Sequence, residues 1–345
     1  MNEIDIRIEG RAGRITLSRP AALNALNHKM VQALDRALKD WRNDPRVALV
    51  LIDAAGDRAF CAGGDIAEVH AAGRTGDFAF GQRFWRDEYR MNDRIARFGK
   101  PVVSLIHGFC MGGGVGVACH ASHRIVGETA QLAMPECAIG LVPDVGGSFL
   151  LARAPGHLGA WLAVTGARMG PGDAIFAGFA DTFVPQADWP ALRVALIETG
   201  DPASIAVFSR TAPEGRLDAL LPQIDAAFAK GSLPAIIGRL EAQQTPFATE
   251  TLEALGRASP LSAVTSLEMQ RRLKPAPDLR AALDLEYRAT WRAQQDMDLQ
   301  EGIRAAIIDK DRRPKWRHAS PADVDRAEVE ALLAPLGPDA LTFEE

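Results

Sequence analysis

The stretch Val102-Val-Ser-Leu-Ile106, running straight into His107-Gly-Phe-Cys-Met-Gly-Gly-Gly-Val-Gly116, decides the fold. Its first five residues, entered from Lys100-Pro101, read as a strand covered on both faces, as in a parallel sheet. Three consecutive glycines then follow, and such a run is costly inside a helix, so the backbone itself has a task there. If a helix starts at this point, its leading N–H groups face the cleft beyond the strand. Close helix packing is the other use of such glycines. No Gly-Lys-[Ser/Thr] follows, which excludes a phosphate loop, and the spacing is not GxGxxG.

Outward from this block, strand and helix alternate. Ile4, Ile6 and Ile8 alternate with polar residues, and Arg14-Ile-Thr-Leu17 follows the Gly13 turn, predicting a hairpin. Met30, Val31, Leu34, Ala37, Leu38 and Trp41 repeat at helical spacing. A buried strand is expected over 47–53 and a second helix over 82–98. The expected class is therefore α/β over residues 1–188. A soft boundary falls between Ala187 and Pro190. Beyond it, residues 189–345 read as a helical region, with amphipathic helices over 217–229, 233–244, 261–272 and 279–295, punctuated by Gly231, Pro246 and Pro275-Ala-Pro277.

The 345 residues carry 39 Lys+Arg against 44 Asp+Glu, a formal charge of -5. That balance argues against a general nucleic-acid or membrane-surface binder but leaves room for a small anionic ligand. The densest apolar run, Val47-Ala-Leu-Val-Leu-Ile52, is strand length, far short of the ~18 residues of a membrane span. Met1-Asn-Glu-Ile-Asp-Ile lacks the pattern of a secretory signal. Cys61, Cys110, Cys119 and Cys137 form no CxxC pair and no metal-ligand spacing. A reduced, cytoplasmic protein is the expectation.

A second glycine turn, Phe60-Cys-Ala-Gly-Gly-Asp-Ile66, sits between a strand and a helical segment, where Asp65 suits a helix cap. A plain strand-to-helix turn is the simpler reading. Two such turns together can aim two backbone N–H groups at one carbonyl oxygen, an oxyanion hole in which each donor is worth ~3 kcal/mol in the transition state. Acids accompany them. In Met134-Pro-Glu-Cys-Ala-Ile-Gly-Leu-Val-Pro-Asp144, two carboxylates interrupt an apolar stretch, each directly after a proline. Apolar surroundings push a carboxyl pKa upward and fit it for acid/base work. Asp144 could instead cap a helix ahead of Val145-Gly-Gly-Ser. Phe84, Glu88, Met91 and Ile95 share one helical face, so Glu88 occupies an inward position and needs a ligand or a hydrogen-bond donor. His107, His120 and His123 lack metal spacing, and Ser148 lacks a GxSxG elbow. The segment Asp309-Lys-Asp-Arg-Arg-Pro-Lys-Trp-Arg317 holds five cations against two acids, fitting a solvated tail or a phosphate contact.

At these residues the chain resembles the crotonase (enoyl-CoA hydratase/isomerase) superfamily, and within it the 3-hydroxyisobutyryl-CoA hydrolases. Pro20-Ala-Ala-Leu-Asn-Ala-Leu-Asn27, Phe60–Asp65 and His107–Gly114 carry the superfamily match. Glu88-Tyr89, Met134-Pro-Glu136, Gly140-Leu-Val-Pro-Asp-Val-Gly-Gly147 and Ile307–Trp316 indicate the hydrolase branch. The blocks run from about residue 15 to 316. The resemblance implies a spiral of ββα units around a bent coenzyme A, with a helical C-terminal region. It implies hydrolysis of a short 3-hydroxyacyl-CoA, as in valine catabolism, with coenzyme A present only as part of the substrate and no metal or other cofactor. Gly64 and Gly113 would form the oxyanion hole, Glu136 and Asp144 the catalytic pair. Glu88, Gly113, Glu136, Asp144 and Ala62 would bind substrate, and Lys310 and Lys315 are candidate contacts to the coenzyme phosphates. Hydratases of the family use a glutamate two residues after the glycine triplet, where this chain has Gly116, and typically a glycine where it has Asp144. Homo-oligomers are common in the family, and the resemblance leaves that state open.

Overall fold

The computed structural model describes residues 3–343. Its strands are β1 (Ile4–Glu9), β2 (Ala12–Leu17), β3 (Leu49–Ala54), β4 (Ala59–Cys61), β5 (Val102–Ile106), β6 (Phe109–Met111), β7 (His123–Val126), β8 (Gln131–Ala133) and β9 (Thr182–Phe183). They form two sheets, one in the order β1-β2-β3-β5-β7-β9 and one of β4-β6-β8. Only the β1–β2 hairpin is antiparallel; the other ladders are parallel. β3, β5 and β7 each hand over to a short strand of the second sheet, β4, β6 and β8. At Gly108, where φ is +52°, a side chain would overlap the Arg58 carbonyl, so glycine is required.

The apolar strands are covered on both faces, and alternate residues show it. Leu49, Leu51, Val103, Leu105 and Ile125 join one hydrophobic cluster, while Val50, Ile52, Val102 and Ile106 join the other. The first cluster is closed by Trp189, Leu192 and Leu196 of the helix Trp189–Thr199. Arg193 of that helix pairs with Asp53 at 3.3 Å. The expected division after residue 188 thus cuts off a helix that forms the sheet's outer layer.

The helices that serve the second cluster are α1 (His28–Trp41), α2 (Ile66–Arg74), α3 (Phe78–Ala96), α4 (Gly113–Cys119) and α5 (Gly147–Arg153). α3 begins four residues before its expected start because Asp77 caps it, accepting the Phe80 N–H at 3.2 Å. β3 begins at Leu49, not Val47, because Val47 closes a turn onto Asp44. Leu217–Phe228, Leu233–Gln243, Pro260–Leu273 and Leu279–Asp296 fall where periodicity places helices. Pro246 opens a helix, Pro246–Arg257, that was expected to be a break. Thr245 caps it, and proline at the first position loses no intrahelical bond. The helix Leu279–Asp296 packs along α3, fastened by Arg280 on Asp93 at 2.8 Å and by the Tyr287 hydroxyl on the Gln82 carbonyl at 3.2 Å. Among the described residues no helix is long and apolar enough to cross a membrane.

Candidate active site

Four parts of the chain converge on a cavity of about 90 Å³: the turn after β4, the β6–α4 turn, the inner face of α3 and the segment 135–145. Gly63 and Gly112 adopt positive φ, 114° and 47°, so the chain doubles back at both turns. This brings the Gly64 nitrogen within 3.1 Å of where a Gly113 Cβ would stand. Gly113 opens α4, so its N–H has no intrahelical acceptor. The bridge between Leu26 and the Gly64 turn uses the Gly63 carbonyl and the Asp65 N–H, not the Gly64 N–H. Both glycines line the cavity, and among the described residues neither N–H is engaged by a backbone carbonyl. Ala62 lines the same wall, its N–H donating to the Leu23 carbonyl at 3.0 Å. Asp65 stands at the cap of α2, but its carboxylate pairs with Arg19 at 3.0 Å rather than capping.

Glu88, Glu136 and Asp144 all line the cavity and are 2%, 5% and 5% exposed. Glycine makes room for them. A Cβ on Gly113 would stand 2.7 Å from Glu88 Oε1, and one on Gly112 would stand 2.6 Å from Glu136 Oε1. Glu88 Oε1 and Glu136 Oε2 have no protein hydrogen-bond partner. Asp144 does not cap α5, whose N-cap is Gly146; its Oδ2 accepts the Tyr89 hydroxyl at 2.8 Å. The next residue, Val145, is held at φ +54°, a strained conformation for a β-branched side chain. His120 Nε2, 2.8 Å from the Val145 carbonyl, fixes it there.

Burial pushes all three acids above the usual carboxyl range. Asp144 reaches about 7, because burial outweighs the hydrogen bond from Tyr89. Glu136 is raised by burial first and by the Asp144 charge second; Glu88 is raised in the same way. Like charges this close do not ionise together, so a negative Asp144 keeps protons on its neighbours. The site thus gathers three carboxyls whose burial favours their protonated forms.

A fourth buried acid went unpredicted. Glu286, fully buried on the helix Leu279–Asp296, accepts the Gly146 N–H at 2.7 Å, the Ser148 N–H at 3.0 Å and the Ser148 hydroxyl. It ties down the loop that carries Asp144. Burial raises its pKa to about 8 against these three donors. The signal was present: Leu279, Leu283, Glu286, Thr290 and Ala293 follow the same inward spacing that singles out Glu88.

Gly116 cannot be replaced by an acid in this packing. A Cβ there would stand 2.8 Å from both Val145 Cβ and Asn92 Nδ2. Lys310 and Lys315 are exposed and line no part of the cavity. Their segment is folded by Arg304, which pairs with Glu301, Asp309 and Asp311. It follows the helix Leu299–Ile303, which packs against α2, the helix that starts two residues after Gly64. Cys61 and Cys137 are buried thiols held near 12, and all four cysteines are free. Among the described residues no cluster of His, Cys, Asp or Glu could hold a metal ion. A larger groove of about 500 Å³, lined by Leu233, Leu267, Arg271 and Val329, shares no residue with the acid-lined cavity.

An enoyl-CoA hydratase/isomerase family profile matches residues 12–333. A Gallus gallus protein named 3-hydroxyisobutyryl-CoA hydrolase, mitochondrial, is 38% identical over 346 residues, 97% of this chain and 89% of its own length. The Homo sapiens protein of the same name is 35% identical over 352 residues, covering 99% and 91%. A crystal structure described as an enoyl-CoA hydratase from Rhodobacter sphaeroides is 64% identical and superimposes with a TM-score of 0.95 over 99% of this chain and 100% of that one. The relatives' names divide between hydrolysis and hydration.

Proposed function

The chain belongs to the enoyl-CoA hydratase/isomerase family, the crotonase superfamily of acyl-CoA enzymes, and within it we propose that it hydrolyses a short 3-hydroxyacyl-CoA thioester. 3-Hydroxyisobutyryl-CoA is the first candidate, giving 3-hydroxyisobutyrate and free coenzyme A. The observation that carries this reading is the pairing of an acid-free, sterically closed position at Gly116 with a buried carboxylate at Asp144. A hydratase of the family would need an acid at the first position and would carry none at the second.

The geometry supports a division of labour. Gly64 and Gly113 N–H groups polarise the thioester carbonyl and take up the oxyanion. Asp144, the acid that ionises first, removes a proton as the water oxygen bonds to the carbonyl carbon. The tetrahedral intermediate then breaks its C–S bond, and protonated Glu136 supplies the proton that leaves with the thiol. Direct attack by a carboxylate, giving a mixed anhydride that water opens, uses the same groups. Glu88, beside Gly113 with one oxygen unpartnered, suits the substrate's 3-hydroxyl. The basic segment carrying Lys310 and Lys315 is proposed to meet the coenzyme phosphates. The four free thiols fit a reducing compartment, for which the cytoplasm is our proposal; the vertebrate relatives carry "mitochondrial" in their names.

The name of the Rhodobacter sphaeroides structure favours a second reading, hydration of an enoyl-CoA, with Glu88 or Asp144 replacing the missing glutamate. One comparison separates the two. Free-thiol release from 3-hydroxyisobutyryl-CoA supports hydrolysis, whereas loss of enoyl absorbance on crotonyl-CoA without thiol release would replace it with hydration.

A further inference from the structure

Asp144 opens a tight turn, Asp144-Val-Gly-Gly147, closed by the Gly147 N–H on the Asp144 carbonyl at 2.6 Å. Both central residues have positive φ, 54° at Val145 and 76° at Gly146. Such turns take glycine, asparagine or aspartate at their centre, and a β-branched side chain is strained there. Val145 has a task all the same, since it lines the acid cavity. What holds the turn is a grip on both ends of its central peptide. On one side, Glu286 Oε2 accepts the Gly146 N–H at 2.7 Å. On the other, His120 Nε2 lies 2.8 Å from the Val145 carbonyl. A carbonyl only accepts, so it is Nε2 that carries the ring proton. Burial lowers the His120 pKa to about 4, so the ring is neutral and gives this bond from one tautomer. Glycine at 146 admits the ring, because a Cβ there would stand 2.4 Å from His120 Nε2.

We propose that His120 is a positioning residue for Asp144, holding the turn so that the carboxylate keeps a fixed place relative to Gly113. This rests on the hydrolase reading, in which Asp144 takes the proton from water. The connection is α4, which starts at Gly113 and ends at its C-terminal cap, His120. One short helix thus carries the glycine assigned to the thioester carbonyl at one end and the holder of the base at the other. Without the His120 N–H, the central peptide is held from one side only, and the strain at Val145 favours rotation of the turn. Asp144 then leaves the place marked by its 2.8 Å bond from the Tyr89 hydroxyl. No bond is made or broken at the imidazole. Its contribution is geometric, and a misplaced reacting group costs rate more than binding.

The test compares two replacements of one ring. His120→Leu keeps an apolar body and donates nothing, whereas His120→Gln carries an amide N–H that reaches about as far as Nε2. KM for 3-hydroxyisobutyryl-CoA should hold in His120→Leu while kcat falls about 10²-fold. His120→Gln should recover roughly tenfold over the leucine variant, although both melt below the wild type by similar amounts. A merely structural histidine would not separate two variants of equal stability. If His120→Leu fails to fold, His120→Asn, whose amide falls short of the Val145 carbonyl, takes its place with the same expectation. A kcat within about twofold of wild type in the variant lacking the donor overturns the proposal. A glutamine variant no faster than that one overturns it too. Either result, with thiol released by the wild type, leaves the hydrolase reading standing. No thiol release by the wild type overturns both.

Discussion

The Tyr89 hydroxyl donates to Oδ2 of Asp144 across 2.8 Å, although the two residues lie 55 positions apart and on different elements. That bond favours the ionised carboxylate, against a burial that favours the neutral one. It separates Asp144, at about 7, from Glu136 and Glu88, whose unpartnered oxygens have no such help. The proposed assignment of base and acid rests on that hydrogen bond and on a backbone one to Asp144.

Tyr89→Phe should therefore move the pH dependence of hydrolysis. Activity that requires ionised Asp144 rises through a pH near 7 in the wild type. Without the hydroxyl, the rising limb should shift to higher pH by about one to two units, the worth of a hydrogen bond to a charge. A kcat/KM profile from pH 5 to 9 checks this; an unmoved limb assigns the base elsewhere.

Asp144→Asn preserves size but removes basicity, so kcat should fall by roughly 10²–10⁴-fold. Glu136→Gln should do likewise, because an amide gives no proton to the departing thiolate. Thiol release under substrate saturation measures both. If each remains within about twofold of wild type, the catalytic pair is misassigned.

Glu88→Gln should discriminate between substrates. Its carboxyl is buried beside Gly113 and meets no protein donor at Oε1. The loss in kcat/KM should be greater for 3-hydroxyisobutyryl-CoA than for isobutyryl-CoA, which lacks the hydroxyl. Equal losses would remove Glu88 from hydroxyl recognition.

Stability should fall as pH rises between about 4.5 and 8 through Glu286, whose folded pKa is raised to about 8 from 4.5. In that window the folded chain keeps a proton that the unfolded chain has released, so raising the pH favours unfolding. Glu286→Gln should flatten the slope of unfolding free energy by about 1.4 kcal/mol per pH unit, and urea titrations at pH 5, 6 and 7 measure it. An unchanged slope would mean that Glu286 is ionised throughout.

Replacing Lys310 and Lys315 together with Ala should raise KM while leaving kcat nearly unchanged, the signature of binding shared by ground and transition states. Neither lysine lines the cavity, so loss of kcat is not expected. Steady-state kinetics at low salt, where exposed charges act most strongly, gives the cleanest reading.

Sequence alone determined the layered α/β core, since a strand such as Val102–Ile106 carries its two-sided burial in its composition. It also determined the two glycine turns and the inward acid at Glu88, because strand length, glycine runs and helical period are local properties of the chain. It did not determine that Asp144 leaves the cap of α5 free and turns to another partner. That depended on Tyr89 and on the Gly146 N–H being taken by Glu286, 140 residues away. Nor did it tell that Pro246 starts a helix, or that the helix Trp189–Thr199 belongs to the sheet. The order in which the acids ionise was likewise beyond it. Desolvation and charge coupling act over a few ångströms of space and sum over groups brought together from α3, the β6–α4 turn, the Glu136–Ile139 turn and the Leu279–Asp296 helix, so only the tertiary structure decides which carboxyl holds its proton.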